Sequence, residues 1–476
     1  MPDERVVLTE RIKAKALELG FELVGIAPVR ESDHGEFYRR WIAEGRHGEM
    51  EYLARDDAVA RRLDPRSAWP ELRSAVVVGL FYGGGGAEAA GNPGAVGGAA
   101  GGAGGAPGGS SGPGTGDVVV PADPDLCPSG PDRGPAAPAT SPDVGIIARY
   151  ARGRDYHKVI KKKLLELLTW IEGEVGRELP AARAYVDTGP VLERELARRA
   201  GFGWFGRNTM LIHPRRGSYF FIGTLLLELE LKADAPFEAD RCGRCTACVT
   251  VCPTGALLGR DATGAPVMDA TRCISYLTIE NRGPIPPELR PAIGNRIFGC
   301  DICQEVCPFN RKFSRPASGP AFDPRGPGES PAGVERLPSD GWHPGTAAPS
   351  LIDLMSMDDA GWEAFSRGSA IRRAGRAGFR RNVAVALGNW GDESAVPALR
   401  RGLSDPSPLV RSHSAWALGR IGSAPAIAAL TEALSAETDQ AVIEEIRAAL
   451  AEAASRARPD PVRLTANGEG RTDPLG

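Results

Sequence analysis

The chain has 476 residues, of which 42% are hydrophobic and 25% are charged, and its formal net charge at pH 7 is −3. This length predicts two to four domains with sizeable cores, and the charge is that of an ordinary soluble protein. No segment approaches the length of a membrane span, and residues 1–15 carry neither an apolar stretch nor a twin arginine. Membrane insertion and export by the Sec or Tat route are therefore not expected.

Helix and strand signals alternate over the first 82 residues. Apolar residues at helical spacing predict a helix at 9–19 and a helical region at 37–62, which contains the run His47-Gly-Glu-Met50. Apolar runs predict strands at 21–27 and 75–82, the second of them buried.

The composition changes abruptly at residues 83–142, which consist mainly of Gly, Ala, Pro and Ser. Such a composition cannot bury enough apolar surface to order itself, so this segment is predicted to be a disordered surface insertion. Its one cysteine, Cys127, is predicted to be a free thiol without a functional role.

Order resumes at residues 144–150, and the pattern predicts a long helix from 158 to about 176, a strand at 184–187, a helix at 191–200 and a strand at 218–228. Strands that alternate with helices predict an α/β domain over residues 1–235. Four lysines crowd the first turns of the long helix: Lys158, Lys161, Lys162 and Lys163. They fit either a solvated helix face or a contact with a polyanion.

Eight of the nine cysteines fall between residues 242 and 307. The run Cys242-Gly-Arg-Cys245-Thr-Ala-Cys248-Val-Thr-Val-Cys252-Pro253 has the C-x2-C-x2-C-x3-C-P spacing of bacterial two-cluster ferredoxins, in which the fourth cysteine ligates the other [4Fe–4S] cluster. A second run holds Cys300, Cys303, Cys307 and Pro308, but Ile297 stands where its first cysteine is expected, so Cys273 is predicted to replace it. The predicted ligand sets are Cys242, Cys245, Cys248 and Cys307 for one cluster and Cys252, Cys273, Cys300 and Cys303 for the other.

Two alternatives to a ferredoxin-like domain over residues 236–315 are a structural zinc site and a disulfide framework. Zinc does not call for the Cys-Pro ends of both runs, and C-x2-C loops are too tight for ordinary disulfides. Clustered thiolates also indicate a reducing compartment, so the protein is expected in the cytoplasm.

The last third of the chain is predicted to be helical and repetitive. After a Pro/Gly-rich linker at 316–350, the sequence at 382–391 aligns with that at 413–422 at an offset of 31 residues, which predicts HEAT-like repeats over 351–456. Residues 364–391 contain no acid and six arginines, a composition that suits phosphate binding: Arg367, Arg372, Arg373, Arg376, Arg380 and Arg381. Residues 457–476 are predicted to be a disordered tail.

Several motifs resemble those of the epoxyqueuosine reductases, cobalamin-dependent iron–sulfur enzymes of tRNA modification. They are His47-Gly-Glu-Met50, Arg149-Tyr-Ala-Arg-Gly-Arg-Asp-Tyr-His157, Val186-Asp-Thr-Gly-Pro-Val-Leu-Glu-Arg194, Gly201-Phe-Gly-Trp-Phe-Gly-Arg-Asn208, the two cysteine runs with Cys273-Ile-Ser-Tyr-Leu-Thr-Ile-Glu280, and Asn295-Arg-Ile-Phe-Gly-Cys-Asp301. The resemblance covers nearly everything except residues 83–142. It implies reduction of epoxyqueuosine to queuosine at the tRNA wobble position by a base-off cobalamin that is reduced through two [4Fe–4S] clusters.

The resemblance also implies a corrin pocket in the first domain. The implied contacts are Arg55, Asp187, Leu211, Ile222, Ser275, Cys300 and Asp301. Arg207 stands where the family commonly has lysine, which puts the implied phosphate contact there in doubt. Asp187 is the implied proton donor, because desolvation beside aromatic residues would favour its protonated form. From position alone, Asp187 could instead cap the following helix.

The implied partners are tRNA carrying epoxyqueuosine and an external low-potential electron donor of the flavodoxin or ferredoxin type. A monomer without membrane contact is expected. Two other function classes stay open: a cytoplasmic corrinoid reductive dehalogenase, and an iron–sulfur electron carrier that uses HEAT repeats to bind partners. Bound corrin would exclude the carrier, and turnover of modified tRNA would exclude the dehalogenase.

Overall fold

The computed structural model describes residues 3–83, 141–317, 319–329 and 343–457, so the predicted insertion with Cys127 and the predicted tail beyond residue 457 lie outside the described residues. The helices are α1 (Glu4–Glu18), α2 (Gly35–Ala43), α3 (Glu51–Ala54), α4 (Asp56–Leu63), α5 (Tyr156–Val175), α6 (Glu193–Arg199), α7 (Ala247–Val251), α8 (Ile274–Ile279), α9 (Arg290–Ile293), α10 (Ile302–Glu305), α11 (Pro308–Phe313), α12 (Leu351–Ser356), α13 (Asp359–Ser366), α14 (Gly375–Trp390), α15 (Val396–Gly402), α16 (Pro408–Ile421), α17 (Ala424–Ala436) and α18 (Gln440–Ala457). The strands are β1 (Leu23–Pro28), β2 (Ser74–Phe81), β3 (Ile146–Ile147), β4 (Arg183–Tyr185), β5 (Trp204–Phe205), β6 (Leu211–Ile212), β7 (Phe220–Leu227), β8 (Leu257–Arg260), β9 (Pro266–Met268) and β10 (Arg296–Phe298). No helix in the described ranges is long and apolar enough to cross a membrane.

The first domain is built on a four-stranded sheet with the order β1-β2-β7-β4. Every residue of β2 is buried, because alternate side chains enter two different cores. Val76 and Val78 pack with α1 and α5 on one face, while Ala75 and Val77 pack with α6 on the other. Gly223 lets α5 lie close against the sheet, since a Cβ there would stand 2.7 Å from Ile160.

All three pairings in this sheet are antiparallel, so the domain combines helices and strands as predicted but is not a parallel α/β fold. The segment between β1 and β2 does not act as the crossover helix of a parallel fold. Its helices contact the cluster domain instead of packing only on the sheet. The Trp41 indole donates to the carbonyl of Met268, and the Glu49 amide donates to the Tyr276 hydroxyl at 2.7 Å. Such distant partners leave no signal in the local pattern.

The residues after the insertion join the cluster domain rather than the sheet. Strand β3 pairs in parallel with β10, and Ile147 belongs to the core under the cluster domain. The predicted boundary at 235 therefore does not separate two independent units. The predicted linker also packs in part, since Phe322 is buried against Phe221 and Arg325 donates to the carbonyl of Phe365.

Helices α12–α18 form the predicted repeat unit. Two long helices, α14 and α16, end at Gly391 and Gly422, which are 31 residues apart in sequence and both adopt the left-handed conformation of a helix C-terminus. The equivalent positions Asn382 and His413 are fully buried, and each bonds to the cluster domain. Asn382 donates to the carbonyls of Thr278 and Ile297, while His413 accepts a hydrogen bond from the Ile285 amide.

The six arginines predicted to bind phosphate also have partners within the protein. Arg381 is fully buried and donates to the carbonyls of Leu277, Asn281 and Gly283. The others pair with acids outside the 364–391 window: Arg367 and Arg372 with Glu363, Arg373 with Glu280, and Arg376 and Arg380 with Asp405. Glu363 directly precedes the window, whereas folding brings Glu280 and Asp405 in from other segments, so the window alone overstated the positive charge.

Candidate active site and cluster ligands

The seven cysteines of the two runs and Cys273 form two groups in the structure. Group I contains Cys242, Cys245, Cys248 and Cys307. Cys242 and Cys307 pack around Trp204, whose indole nitrogen lies 3.4 Å from the Cys242 sulfur. Burial, with smaller contributions from the nearby Cys242, Cys307 and Cys245, raises the pKa of Cys248 to about 12.

Group II contains Cys252, Cys273, Cys300 and Cys303. Burial raises the pKa of Cys303 well above its ordinary value, and Cys300 and Cys273 are the nearest groups that add to this shift. Burial raises the pKa of Cys273 most, and the nearby Cys252 also raises it. Ile297 is fully buried in the neighbouring core, against which Cys273 and Cys300 pack.

An iron–sulfur donor set fits these groups. Four crowded thiols can ionise together only when a cation compensates their charge, and the iron of a cluster does so.

The loop at 201–208 joins both groups, a role that sequence reasoning missed. Trp204 packs on group I, and the Asn208 amide donates to the carbonyl of Cys303 at 3.2 Å. Arg207 donates to the carbonyl of Gly243 at 2.8 Å, so this side chain supports the Cys242 loop. The two glycines that flank Trp204 have backbone so close to Ile212 that no Cβ would fit.

Asp187 follows β4 and stands at the wall of a second site. Its carboxyl accepts a hydrogen bond from the Tyr156 hydroxyl at 2.8 Å and lies 3.7 Å from Nε2 of His157. Its backbone has a φ of +59°, a conformation that non-glycine residues rarely adopt outside functional sites. The Asp187 amide donates to Glu193 at 2.7 Å, which helps to hold this loop.

The charge state of Asp187 differs from the expectation that desolvation would keep it protonated. Desolvation does raise its pKa, but the hydrogen bonds from His157 and Tyr156 outweigh this effect and hold the pKa below its ordinary value. For His157, burial lowers the pKa, while hydrogen bonds to Asp155 and Asp187 raise it to about 9. At neutral pH the pair is therefore an imidazolium next to a carboxylate.

A second proton lies on Glu193. Burial and then the charge of Asp187 raise the pKa of Glu193 to about 8. Its Oε1 atom is enclosed and has no hydrogen-bond partner among the described residues. His157, Glu193 and Tyr156 thus surround Asp187 with protonated groups, which is the arrangement that supplies protons to a reacting centre.

Asp187 presents its carboxyl to solvent. The Asp187 side chain is 69% exposed, although it lies among the buried tyrosines Tyr150 and Tyr156. The register that pairs Tyr185 with Thr224 would, if continued, bring Asp187 opposite Ile222, but β4 ends before that point. This leaves one edge of β7 open to the same cavity.

The implied corrin contacts are only partly brought to this cavity. Asp301 is buried and accepts a hydrogen bond from the Arg149 amide at 2.8 Å, and the charges of both Asp187 and Asp301 act on Tyr150. Cys300 is itself in group II, Ser275 lies two residues after Cys273, and both are half-buried. Arg55 lies three residues after Tyr52, whose environment includes Asp187, and its side chain is 65% exposed.

Leu211 and Ile222 differ from the other implied contacts. Leu211 is buried in the α6 face of the sheet, so its side chain has no surface to offer a cofactor. Ile222 packs against the same core but remains partly exposed, as the open strand edge requires. The combination of an open hollow, exposed carboxyl and guanidinium groups and a neighbouring thiol group is compatible with a large polar cofactor.

Sequence reasoning missed Tyr156, His157 and Glu193 as site residues. All three lie in motifs that the family resemblance contained, two beside the lysine-rich helix and one six residues after Asp187. A functional role could have been inferred for the adjacent Tyr-His pair. The contact of this pair with Asp187, thirty residues away in sequence, could not have been inferred.

Comparisons with known proteins were made for the whole chain. Residues 241–310 match the family model of a 4Fe-4S double cluster binding domain, residues 368–451 match HEAT repeats, and residues 128–188 match the model described as epoxyqueuosine reductase QueG, DUF1730. The first match decides between iron–sulfur and zinc for the cysteine runs.

Curated relatives extend the likeness over most of the chain. The epoxyqueuosine reductase of Pseudomonas aeruginosa is 36% identical, with 88% of this chain and 96% of the relative covered. That of Escherichia coli is 35% identical, with coverage of 87% and 89%.

Solved structures agree with these relatives. A selenomethionine-labelled epoxyqueuosine reductase is 26% identical, covers 94% of this chain and 99% of its own, and has a TM-score of 0.71. Another, solved with an epoxyqueuosine-modified tRNA-Tyr stem loop, has the same identity and coverage and a TM-score of 0.70. The resemblance found in the sequence is confirmed, and neither the dehalogenase nor the electron-carrier alternative is needed. The chain belongs to the epoxyqueuosine reductase family of oxidoreductases.

Proposed function

We propose that this protein reduces epoxyqueuosine to queuosine at the wobble position of tRNA. Loss of the epoxide oxygen as water consumes two electrons and two protons. The observation that carries the proposal is the exposed Asp187 carboxyl in contact with Tyr156 and His157. A relative solved with an epoxyqueuosine-modified tRNA stem loop supports the substrate.

The electrons require groups that side chains cannot replace. Two [4Fe–4S] clusters, held by group I and group II, would carry single electrons inward from a low-potential donor. A bound cobalamin would supply the two-electron chemistry at carbon. Asp301, Cys300 and Ser275 would hold it on the cluster side, with Arg55 and the open edge at Ile222 on the other sides.

The side chains handle the protons. Among the described residues of the cavity wall, Asp187 is the carboxyl that is both exposed and flanked by proton-bearing groups. A proton passes from His157 to Asp187 over 3.7 Å, and Asp187 delivers it to the departing oxygen. Tyr156 keeps the Asp187 carboxyl oriented. The neutral Glu193 then supplies a proton that restores the positive charge of His157.

The test is anaerobic reconstitution with added cobalamin, followed by turnover of an epoxyqueuosine stem loop under dithionite. About eight irons and one corrin per chain, together with queuosine formation, are expected. A loaded protein that leaves the epoxide intact would refute the assigned reaction. A protein that never takes up corrin would refute the cofactor.

The tRNA contact is proposed on α5 rather than on the repeat arginines. Lys158, Lys161 and Lys162 are exposed, and no ion pair involves them within the described ranges. Lys161 lies one helical turn after His157, so this basic face begins at the cavity. Lysines here would contact phosphates and position the stem loop without reading its bases.

Charge reversal of Lys161 and Lys162 to Glu should therefore weaken stem-loop binding. The slope of log Kd against log salt should fall by about 1 for each phosphate that the variant no longer neutralises. The measurement is a salt series of binding titrations. Arg372→Glu is the matched control, because this arginine is already paired with Glu363 and is expected to change neither value strongly. Loss of binding in Arg372→Glu alone would restore the repeat arginines as the phosphate contact.

A further inference from the structure

The two cysteine groups differ in how they meet the surface. In group I, the residues between the ligands are exposed, among them Gly243, Arg244 and Ala247. In group II, Cys300 lies between the buried Gly299 and Asp301, and Asp301 belongs to the wall of the active-site cavity. A cluster in group I is therefore placed to receive electrons from outside, and one in group II to pass them to the cavity.

The charge around group I is one-sided. Residues 241–256 and 306–317 hold its ligands and contain Arg241, Arg244, Arg311, Lys312 and Arg315 but no acid, although the net charge of the whole chain is −3. The acids that precede the two segments each pair with an arginine, and Glu305, which directly precedes the second segment, lies 3.6 Å from Arg149. Asp240 pairs with Arg260 at 2.6 Å, and Glu238 lies 3.4 Å from Arg198.

Two large apolar side chains stand exposed on adjoining elements of the same region. Val251 ends α7 and is 40% exposed, and Leu258 on β8 is 48% exposed. Helix α7 packs directly against β8. An apolar centre surrounded by basic residues is typical of a transient protein–protein interface. A phosphate-binding surface does not require exposed apolar side chains.

We propose that a small acidic electron-carrier protein docks on this surface, which we call the entry face: Arg244, Ala247, Val251, Leu258, Arg311 and Lys312. This inference rests on the proposed function, since it names where the external donor of that reaction binds. Each encounter oxidises the carrier by one electron and reduces the group I cluster by one electron. Two encounters supply the electron pair for one epoxide.

Opposite charges make such encounters fast at low salt, and small interfaces let the spent carrier leave. The variants are the double charge reversal Arg244→Glu with Arg311→Glu, and Leu258→Asp in the apolar centre. Arg447→Glu, an exposed position on α18 of the repeat unit, is the matched control. All are compared as cluster-loaded protein with wild-type iron content.

The probe is reduced flavodoxin, and the readout is the stopped-flow rate of cluster bleaching over a salt series. Wild type and Arg447→Glu should show a rate that falls with salt. The double variant should be reduced about 10- to 100-fold more slowly at low salt and should lose the salt dependence. Leu258→Asp should also be slow, but its salt dependence should remain.

Dithionite separates this inference from the proposed function. With dithionite, epoxide reduction by the entry-face variants should equal that of wild type. Equal bleaching rates with flavodoxin in wild type and both variants would overturn the docking site while leaving the function intact. Weaker stem-loop binding in the double variant, with unchanged flavodoxin rates, would make this an RNA surface instead. Absence of epoxide reduction by dithionite-treated wild type would count against the function, not against the docking.

Discussion

Asp187→Asn should slow single-turnover epoxide reduction by ~10²–10⁴-fold, the usual effect of removing a placed proton donor. Asparagine keeps the shape of the side chain and tolerates the positive φ of this residue, so the loop should survive. Its amide can still accept the hydrogen bond from Tyr156 but cannot carry a proton to the substrate. Clusters and corrin should load normally, because none of their proposed ligands depends on this charge.

The measurement is rapid-quench turnover of fully reduced, cobalamin-loaded protein, with product analysis of the stem loop. Asp187→Ala is a less suitable variant, because alanine disfavours the left-handed backbone and could move the loop. Equal rates for wild type and Asp187→Asn would show that the carboxyl only supports the following helix.

The pH dependence of turnover tests whether His157 is the source of the proton. The groups that face it are Asp155, Asp187 and Glu193, with Tyr156 stacked on its ring. Because the pKa of His157 is raised from 6.5 to about 9, its proton is present below that pH and is lost as the pH rises through about 9. Turnover should fall along the same limb, and the stabilisation by this ion pair should be complete below about pH 6.5.

In Asp187→Asn the imidazolium loses one partner, so its pKa, followed by NMR of the ring, should decrease. His157→Gln should remove the limb near pH 9 and leave a slower, flatter profile. An unchanged profile in His157→Gln would assign the proton to another group, and Glu193 would be the next candidate.

Cys273→Ala should lose one cluster, so that about four of about eight irons remain. Each cubane needs four thiolates, and Ile297, which stands where the second run lacks a cysteine, has no atom that could bind iron. The iron and sulfide content of anaerobically prepared protein checks this. Corrin reduction should fail as well, because group II adjoins the cavity.

Cys127→Ala is the control for that experiment, because this cysteine lies outside both runs and should not alter the iron content. Full iron in Cys273→Ala would reassign the fourth ligand of group II. The crossed pairing of the two runs would then need Cys252 or Cys307 in a different role.

Features that depend on local spacing were predictable from the sequence. The cysteine runs, the buried strand β2 and the 31-residue repeat all follow from residues close together in the chain, and the structure contains each of them in place. Long-range pairing was not predictable. Antiparallel order in the sheet, the contact of β3 with β10 and the acids that neutralise Arg373 and Arg376 all involve segments far apart in sequence.

The candidate site divides in the same way. The position of Asp187 at a strand end could be predicted, but its charge could not, because the His157 partner that lowers its pKa comes from the start of α5. Leu211 was assigned by resemblance along the chain, and its burial shows only in three dimensions. The sequence states which ionisable groups are present, but the pKa of each group depends on the neighbours that folding brings to it.

The anchoring of α14 on the cluster domain has a consequence for oxygen damage. Arg381 and Asn382 bind the carbonyls of Leu277, Thr278 and Ile297, which lie a few residues from the group II ligands Cys273 and Cys300. Oxidative loss of that cluster would loosen these carbonyls and release the buried guanidinium, a change that costs several kcal/mol when a buried charge loses its partners. Loss of the group II cluster would thus also destabilise the packing of α14, and with it the helical repeats, against the cluster domain.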